Sequence, residues 1–144
     1  MSHIKLLTVL VITAAVLVFG IGSALSAPAE ETYVLLPGAG DKCPIDKDTY
    51  FTYGFDKNPQ LGIIILKVVV TNNNPLDSEL TIIGDSGMPS MPGHHDSGDV
   101  TLKRNKKGDY LMPVDVVMPG DWEVRLKFIK ENKVIYRGSI RFDI

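Results

Sequence analysis

The stretch DWEVRLKFIKENKVIYRGSIRFDI, residues 121–144, decides the fold class. Apolar and charged side chains alternate along Asp121–Ile129, which is typical of a strand with one buried and one solvent-exposed face. Glu131-Asn132-Lys133 then turns the chain, and a second alternating run continues to Ile144. The two runs predict a C-terminal β-hairpin.

The same period of two continues upstream. Further strands are predicted at Tyr33–Leu36, Thr49–Phe55, Leu61–Val70, Glu79–Ile83, Val100–Arg104 and Tyr110–Met118. Leu61–Val70 is almost continuously apolar, which predicts a central strand covered on both faces. Pro113 lacks an amide donor, so its strand is predicted to lie at an edge or to carry a bulge.

Seven or eight short strands, separated by turns rich in Gly, Pro and Asn, predict one all-β domain. We expect an immunoglobulin-like two-sheet β-sandwich over residues 30–144, with Ala39–Asp48 as an irregular surface segment. No stretch after Glu30 has convincing helical spacing.

Residues 1–29 predict a signal peptide or a membrane anchor. A short segment ending in Lys5 precedes the uncharged run Leu6–Leu25. Ala27-Pro28-Ala29 fits the small-x-small cleavage rule, and cleavage after Ser26 is the alternative. The apolar run is long enough to span a bilayer, so an uncleaved tether is the second interpretation. Either way, the domain is expected outside the cytoplasm, periplasmic or otherwise extracytoplasmic.

Charge and cysteine content exclude several classes of protein. The net charge of −2 gives no reason to expect a nucleic acid partner, or membrane contact except through the N-terminal segment. The basic run Lys103–Lys107 is predicted to be a solvated hairpin tip. Cys43 is the single cysteine, so the domain folds without an internal disulfide. We expect an unpaired surface or half-buried thiol there, with a redox-active or auxiliary ligand role as the alternative.

One segment breaks the strand pattern. Gly84–Asp99, GDSGMPSMPGHHDSGD, contains only Gly, Asp, Ser, Pro, Met and His. Irregular loops of this length are uncommon in compact domains and tend to be functional or disordered. Met88-Pro89-Ser90-Met91 favours a type I turn, and Met91-Pro92-Gly93-His94 has the preferred composition of a type II turn. Two such turns bring the residues at their ends together.

The gathered side chains are those of Met88, Met91, His94 and His95. Thioethers are soft ligands that favour Cu(I), and imidazole accepts copper or zinc. This set therefore predicts a Cu(I) site, or Cu(II) if the histidines and Asp96 dominate. The alternative is that the methionines only close the open end of the sandwich while the histidines are ordinary surface residues.

Other candidate residues have simpler interpretations. Met112, Met118, Tyr110 and Trp122 fall on apolar strand faces, which predicts core packing. Enzymatic activity is not expected, because no strand-turn-helix nucleophile motif is present. The glycines at 38 and 40 precede no helix that could bind phosphate.

The motifs GMPSMPGHH and GDYLMPVDVVMPGDWEVRLKF together resemble the YtkA-like and FixH-like exported domains. The matching positions are Met88, Pro89 and Met91, then Gly108–Tyr110, then Gly120–Trp122. The resemblance covers roughly residues 61–142 and implies an immunoglobulin-like sandwich, a YtkA-like domain. For FixH-like members it also implies a membrane-tethered role beside copper-transporting ATPases and haem–copper oxidase assembly.

The sequence thus predicts an exported copper-binding accessory domain that delivers or buffers Cu(I). Membrane copper-transport or oxidase-assembly proteins are the expected partners. The alternative is a structural or protein-interaction β-sandwich module of the cell envelope that binds no metal.

Overall fold

The protein is all-β throughout the residues that its computed structural model describes, 29–74 and 79–144. The strands are β1 (Val34–Leu35), β2 (Cys43–Pro44), β3 (Thr49–Phe55), β4 (Gly62–Asn72), β5 (Thr81–Gly87), β6 (Val100–Thr101), β7 (Lys103–Arg104), β8 (Tyr110–Val116), β9 (Asp121–Lys130) and β10 (Lys133–Asp143). Glu31–Ile144 forms one compact unit. The predicted signal or anchor, residues 1–29, lies outside the described residues except for Ala29. In the described ranges no helix is long and apolar enough to cross a membrane.

The ten strands form two five-stranded sheets, in the orders β1-β10-β9-β5-β6 and β2-β3-β4-β8-β7. Neighbouring strands are antiparallel except for β1, which runs parallel to β10. The all-β prediction is confirmed, and the two sheets are consistent with a β-sandwich. Ten strands form rather than seven or eight, because β2 lies in the segment predicted to be irregular and the predicted strand Val100–Arg104 is divided into β6 and β7. β1 lies within the predicted strand Tyr33–Leu36. The immunoglobulin type stays a prediction.

Aromatic side chains join the two sheets. Phe51 of β3 and Phe128 of β9 are fully buried, with 4.4 Å between their ring centroids. Tyr136 packs edge-on against both rings at 5.7 Å. The predicted core positions Tyr110 and Trp122 are buried, so these predictions are confirmed. The inner faces therefore share one apolar core.

The remaining predicted core positions are two methionines, one in β8 and one in the segment that follows it. Met112 is fully buried, as predicted. Met118 is half-buried and packs against the core, because it follows the end of β8 rather than lying within the strand.

The C-terminal hairpin is confirmed. β9 and β10 pair along their length through a turn in which Glu131 and Asn132 have φ of 49° and 62°. Positive φ at both central residues is typical of a type I′ turn, whose twist matches that of the flanking strands. A bulge lies between Val134 and Tyr136, so Ile135 departs from the simple alternation.

The prediction that the Leu61–Val70 strand is covered on both faces is wrong. β4 is central in its sheet, between β3 and β8, but only one of its faces lies on the core. On the other face Ile63 is 57% exposed and Lys67 is exposed, while Ile65 is half-buried. The β-branched run reflects strand propensity as well as burial, and this is why it suggested two covered faces.

The predicted end of a strand at Ile83 is also wrong. β5 continues to Gly87, so the irregular loop is Met88–Asp99 rather than Gly84–Asp99. Gly84 and Ser86 face inward, where β5 passes close to other core side chains. Their small side chains hide the strand's alternation in the sequence.

The predicted single strand Val100–Arg104 is divided in two. β6 belongs to the first sheet and β7 to the second. Leu102 lies between them, is buried, and donates its amide to Ile82. The chain therefore crosses between the sheets here, which a short alternating run does not reveal. The turn at Asn105–Gly108 confirms the predicted hairpin tip.

The prediction that the Pro113 strand lies at an edge holds only locally, because β8 lies between β4 and β7 in its sheet. β7 pairs only with Tyr110 and Leu111, so beyond Leu111 that side of β8 has no partner strand. In the described residues Pro113 is therefore paired with Ile65 of β4 on one side and with no strand on the other.

We predict that Gly84→Val destabilises the domain by about 1–3 kcal/mol, because overpacked cores lose stability on this scale. A Cβ at Gly84 would lie 2.3 Å from the sulfur of Met112. Gly54→Ala is the matched control, since a Cβ at Gly54 meets nothing within 4 Å. Urea denaturation measures both changes, and equal midpoints for the two variants would contradict the packing described.

Candidate metal-binding loop

The loop Met88–Asp99 connects β5 to β6 at the end of the molecule where β8 ends and β9 begins. Met88 packs against the turn between those strands, since a Cβ placed on Gly120 would lie 2.7 Å from its terminal methyl group. Met88 is only 4% exposed and belongs to the core. The loop therefore begins with a side chain that closes this end of the sandwich.

Two consecutive turns follow, as the sequence predicts. The amide of Met91 donates to the carbonyl of Met88 at 2.9 Å, and the amide of His94 donates to the carbonyl of Met91 at 3.0 Å. Gly93 has φ of 79°, the value that the third residue of a type II turn requires. Each turn holds its first and fourth α-carbons within about 7 Å. The backbone thus gathers Met88, Met91 and His94.

Side chains elsewhere in the protein fix the first turn. Asp121, the first residue of β9, accepts from both the amide and the hydroxyl of Ser90. The hydroxyl hydrogen bond is the main reason why the pKa of Asp121 lies below its ordinary value. The first turn is therefore tied to the start of a central strand.

Further contacts fix the rest of the loop. The Asp96 carboxylate accepts from the amide of Gly93 at 3.0 Å. Ser97 donates its amide to the carbonyl of Ser86, and its hydroxyl accepts from the Ser86 amide. These hydrogen bonds begin and end within the loop and on β5, so the segment is an ordered part of the domain. Its Gly, Ser and Asp content serves turns rather than disorder.

The four predicted ligands differ in exposure. Met88 is buried, and Met91 is half-buried against the core. His94 and His95 are exposed, and His95 has φ of 64°. The thioethers therefore lie on the protein side of the loop and the imidazoles on the solvent side. Met88 thus has the position that the alternative interpretation predicts, in which the methionines close the open end of the sandwich.

Charged residues beside the loop were missed from the sequence. Arg125 of β9 forms an ion pair with Asp85 of β5 at 3.1 Å. Burial raises the pKa of Asp85, and the Asp96 and Asp99 carboxylates add to this rise while Arg125 opposes it. The second carboxylate oxygen of Asp85 is buried and has no hydrogen-bond partner within residues 29–74 and 79–144. Asp85 and Arg125 each lie at a charged position of an alternating strand, and such a position does not by itself indicate a function.

A small pocket of about 190 Å³ lies between the loop and β9. It is lined by Met88, Pro89, Pro92 and Asp96 from the loop and by Glu123 and Arg125 from β9, with Gly87. Among the described residues, no three His, Cys, Asp or Glu side chains are grouped so as to hold a metal ion.

Cys43 is not brought to the loop. It pairs with Phe51 on an edge strand of the second sheet, toward the opposite end of the molecule. The thiol is buried at 1% exposure, which corrects the expectation of a surface or half-buried position. Core packing encloses it because β2 continues the sheet there. Burial raises the pKa of the thiol, which disfavours the reactive thiolate.

Comparison with protein-family models, with curated proteins and with solved structures found no match to this chain.

Proposed function

We propose that this protein is an exported accessory domain that binds Cu(I) at the loop Met88–Asp99. The observation that carries the proposal is the pair of consecutive hydrogen-bonded turns, Met88 to Met91 and Met91 to His94. They supply soft donors and imidazoles from one short segment. The ligand set is Met88, Met91 and His94 or His95.

The chemistry of these donors fits Cu(I). Thioether sulfur is neutral and soft, and it binds metal without losing a proton. The two thioethers therefore remain able to bind at mildly acid pH. They also suit an oxidising compartment outside the cytoplasm, in which thiols form disulfides. The proposed role is delivery or buffering of copper as cargo, with no catalytic step.

The exposure of the ligands sets an order of engagement. Copper arriving from solvent meets His94 and His95 first, because both are exposed. The half-buried thioether of Met91 is the next donor. Met88 joins only if its side chain turns from the core, which costs packing energy. One histidine and Met91 can thus bind copper without disturbing the core, whereas Met88 cannot. Such a site favours exchange of copper over permanent retention.

Membrane copper-transport or oxidase-assembly proteins are the proposed partners. This part of the proposal rests on the resemblance of the Met-Pro-x-Met loop and the Gly108–Trp122 region to YtkA-like and FixH-like domains. The proposed location is outside the cytoplasm, in the periplasm or an equivalent compartment. The domain is either released there after cleavage of residues 1–29 or tethered to the membrane through them.

The second candidate function is a metal-free interaction module of the envelope. The burial of Met88 and the hydrogen bonds from Ser90 to Asp121 favour it, because a fixed loop presents a constant surface. The two candidate functions make different predictions. Only the copper-binding domain predicts that replacing a loop methionine by a residue of similar volume without sulfur lowers the affinity for Cu(I).

We predict that replacing the loop methionines by leucine lowers the Cu(I) affinity of residues 29–144 at least tenfold, about 1.4 kcal/mol. Leucine keeps the apolar volume but removes the sulfur donor. Met91→Leu is expected to cause most of the loss, and Met88→Leu to add to it. A titration of the reduced protein against a competing Cu(I) chelator measures these affinities.

Two variants control this experiment. Met112→Leu removes a sulfur that is fully buried far inside the core, and it should leave the affinity unchanged. Cys43→Ala tests whether the thiol contributes. If the double loop variant binds Cu(I) as the unmodified protein does, the proposed ligand set is wrong. If neither the unmodified protein nor any variant binds copper, the metal-free interaction module is the better description.

We predict that Ser90→Ala raises the pKa of Asp121 toward its ordinary value, because the Ser90 hydroxyl is the main cause of its depression. The lowered pKa means that the carboxylate stabilises the fold above its unfolded pKa. This contribution is lost as the pH falls through the lowered value. Carbon-13 NMR titration of the Asp121 carboxyl measures the shift. Ser97→Ala is the control, and a shift of equal size in both variants would contradict the assignment.

A further inference from the structure

A groove of about 950 Å³ lies on the solvent-facing side of the second sheet. This volume is within the range of small-ligand sites, roughly 300–1,000 Å³. Its walls are Ala39-Gly40 on one side and the Asp56–Pro59 segment on the other. The amide of Gly40 donates to the carbonyl of Tyr53 at 2.8 Å, which ties the first wall to β3. The groove belongs to neither the core nor the metal-binding loop.

The floor of the groove is a row of residues across three strands. Gly54 of β3 pairs with Lys67 of β4, and Lys67 pairs with Leu111 of β8. Gly54 contributes no side chain, and a Cβ there would meet nothing within 4 Å. The missing side chain leaves a depression beside the half-buried Leu111 and Ile65. The floor is therefore concave, and its side chains other than that of Lys67 are apolar.

The charged side chains that line the groove are two lysines and one aspartate. Lys57 and Lys67 both line the groove and are exposed, and neither forms an ion pair with a described residue. Asp56 also lines it, but its carboxylate accepts from the amide of Ile65 at 2.7 Å. That carboxylate holds the wall in place. The groove thus offers two ammonium groups over an apolar floor.

We propose that this groove binds a free single-chain amphiphilic carboxylate. The apolar chain lies along Gly54, Ile65 and Leu111, and the carboxylate lies between the ammonium groups of Lys57 and Lys67. Concave apolar surface with a few placed polar groups is typical of small-ligand sites. The walls favour a ligand that inserts from solution over a flat bilayer surface. The proposal stands independently of copper binding.

The test is a titration of nitrogen-15-labelled residues 29–144 with decanoate, kept below its micelle concentration. This fragment contains the compact unit and its whole described core. Saturable shifts are expected at the amides of Gly54, Lys67 and Leu111. Decyltrimethylammonium, with the same chain and the opposite charge, is expected to bind at least fivefold more weakly.

Variants separate the two parts of the site. Lys57→Gln with Lys67→Gln should weaken decanoate binding about five- to tenfold, as expected for two exposed charge contacts. Lys106→Gln, on the exposed hairpin tip, is the matched control and should change nothing. Gly54→Val fills the depression and should abolish the groove shifts while the rest of the spectrum stays native.

Four results would overturn the proposal. These are absence of saturable groove shifts, equal binding of the cationic amphiphile, no effect of the double lysine substitution, and no effect of Gly54→Val. Sedimentation with phosphatidylglycerol vesicles in the absence of a decanoate response would assign the groove to a membrane surface instead. Concentration-dependent dimerisation that Gly54→Val abolishes, again without a decanoate response, would assign it to a second copy.

Discussion

In the described residues no hydrogen-bonded ladder joins the two sheets, so contacts between side chains hold them together, chief among them the packing of Phe51 on Phe128. A single cysteine rules out an internal disulfide as a second means of attachment. Burial of apolar surface must then provide the stabilisation, at about 25 cal/mol per Å². Under this constraint each inward position has to match its opposite, and Gly84 beneath the sulfur of Met112 is a direct consequence.

The same requirement shapes the metal-binding loop. An open end of a sandwich exposes core side chains, and Met88 covers that end by packing over Gly120. An unbranched thioether suits this task because it adapts to irregular gaps. Once Met88 is held, the next two turns have a fixed starting point, and Asp121 fixes the first turn from the outside. Core packing thus positions the side chains that carry the proposed chemistry.

Local sequence rules explain which features could be predicted. The predicted bounds of Thr49–Phe55 match those of β3, because its aromatic and β-branched residues favour a strand. The turns of the loop form where they are predicted, because Pro and Gly fix φ in them. The predicted strand ends four residues before β5 does, because the inward-facing residues Gly84 and Ser86 have little or no side chain. The sequence contained the alternation, but not the close approach of Met112 that requires small residues there.

Non-local contacts account for what the sequence left out of the candidate site. Ser90 lies next to Asp121 only because β5 and β9 pair, and Arg125 reaches Asp85 for the same reason. The burial of Met88 likewise depends on where the turn at Gly120 falls. Periodicity assigns a residue to a face of its own strand. It does not identify the residue that faces it from another part of the chain.

The buried position of Met88 has a consequence for how binding and folding are linked. A ligand that doubles as a core side chain leaves a gap when it turns toward a metal, and gaps in apolar cores cost about 20 cal/mol per Å² of cavity surface. Copper affinity at the loop would therefore vary with the packing around Met88. The groove over Gly54 differs, because its floor lies on the outer face and filling it displaces no core side chain. Substitutions of the side chains that pack on Met88 should thus change copper affinity and leave the groove unchanged.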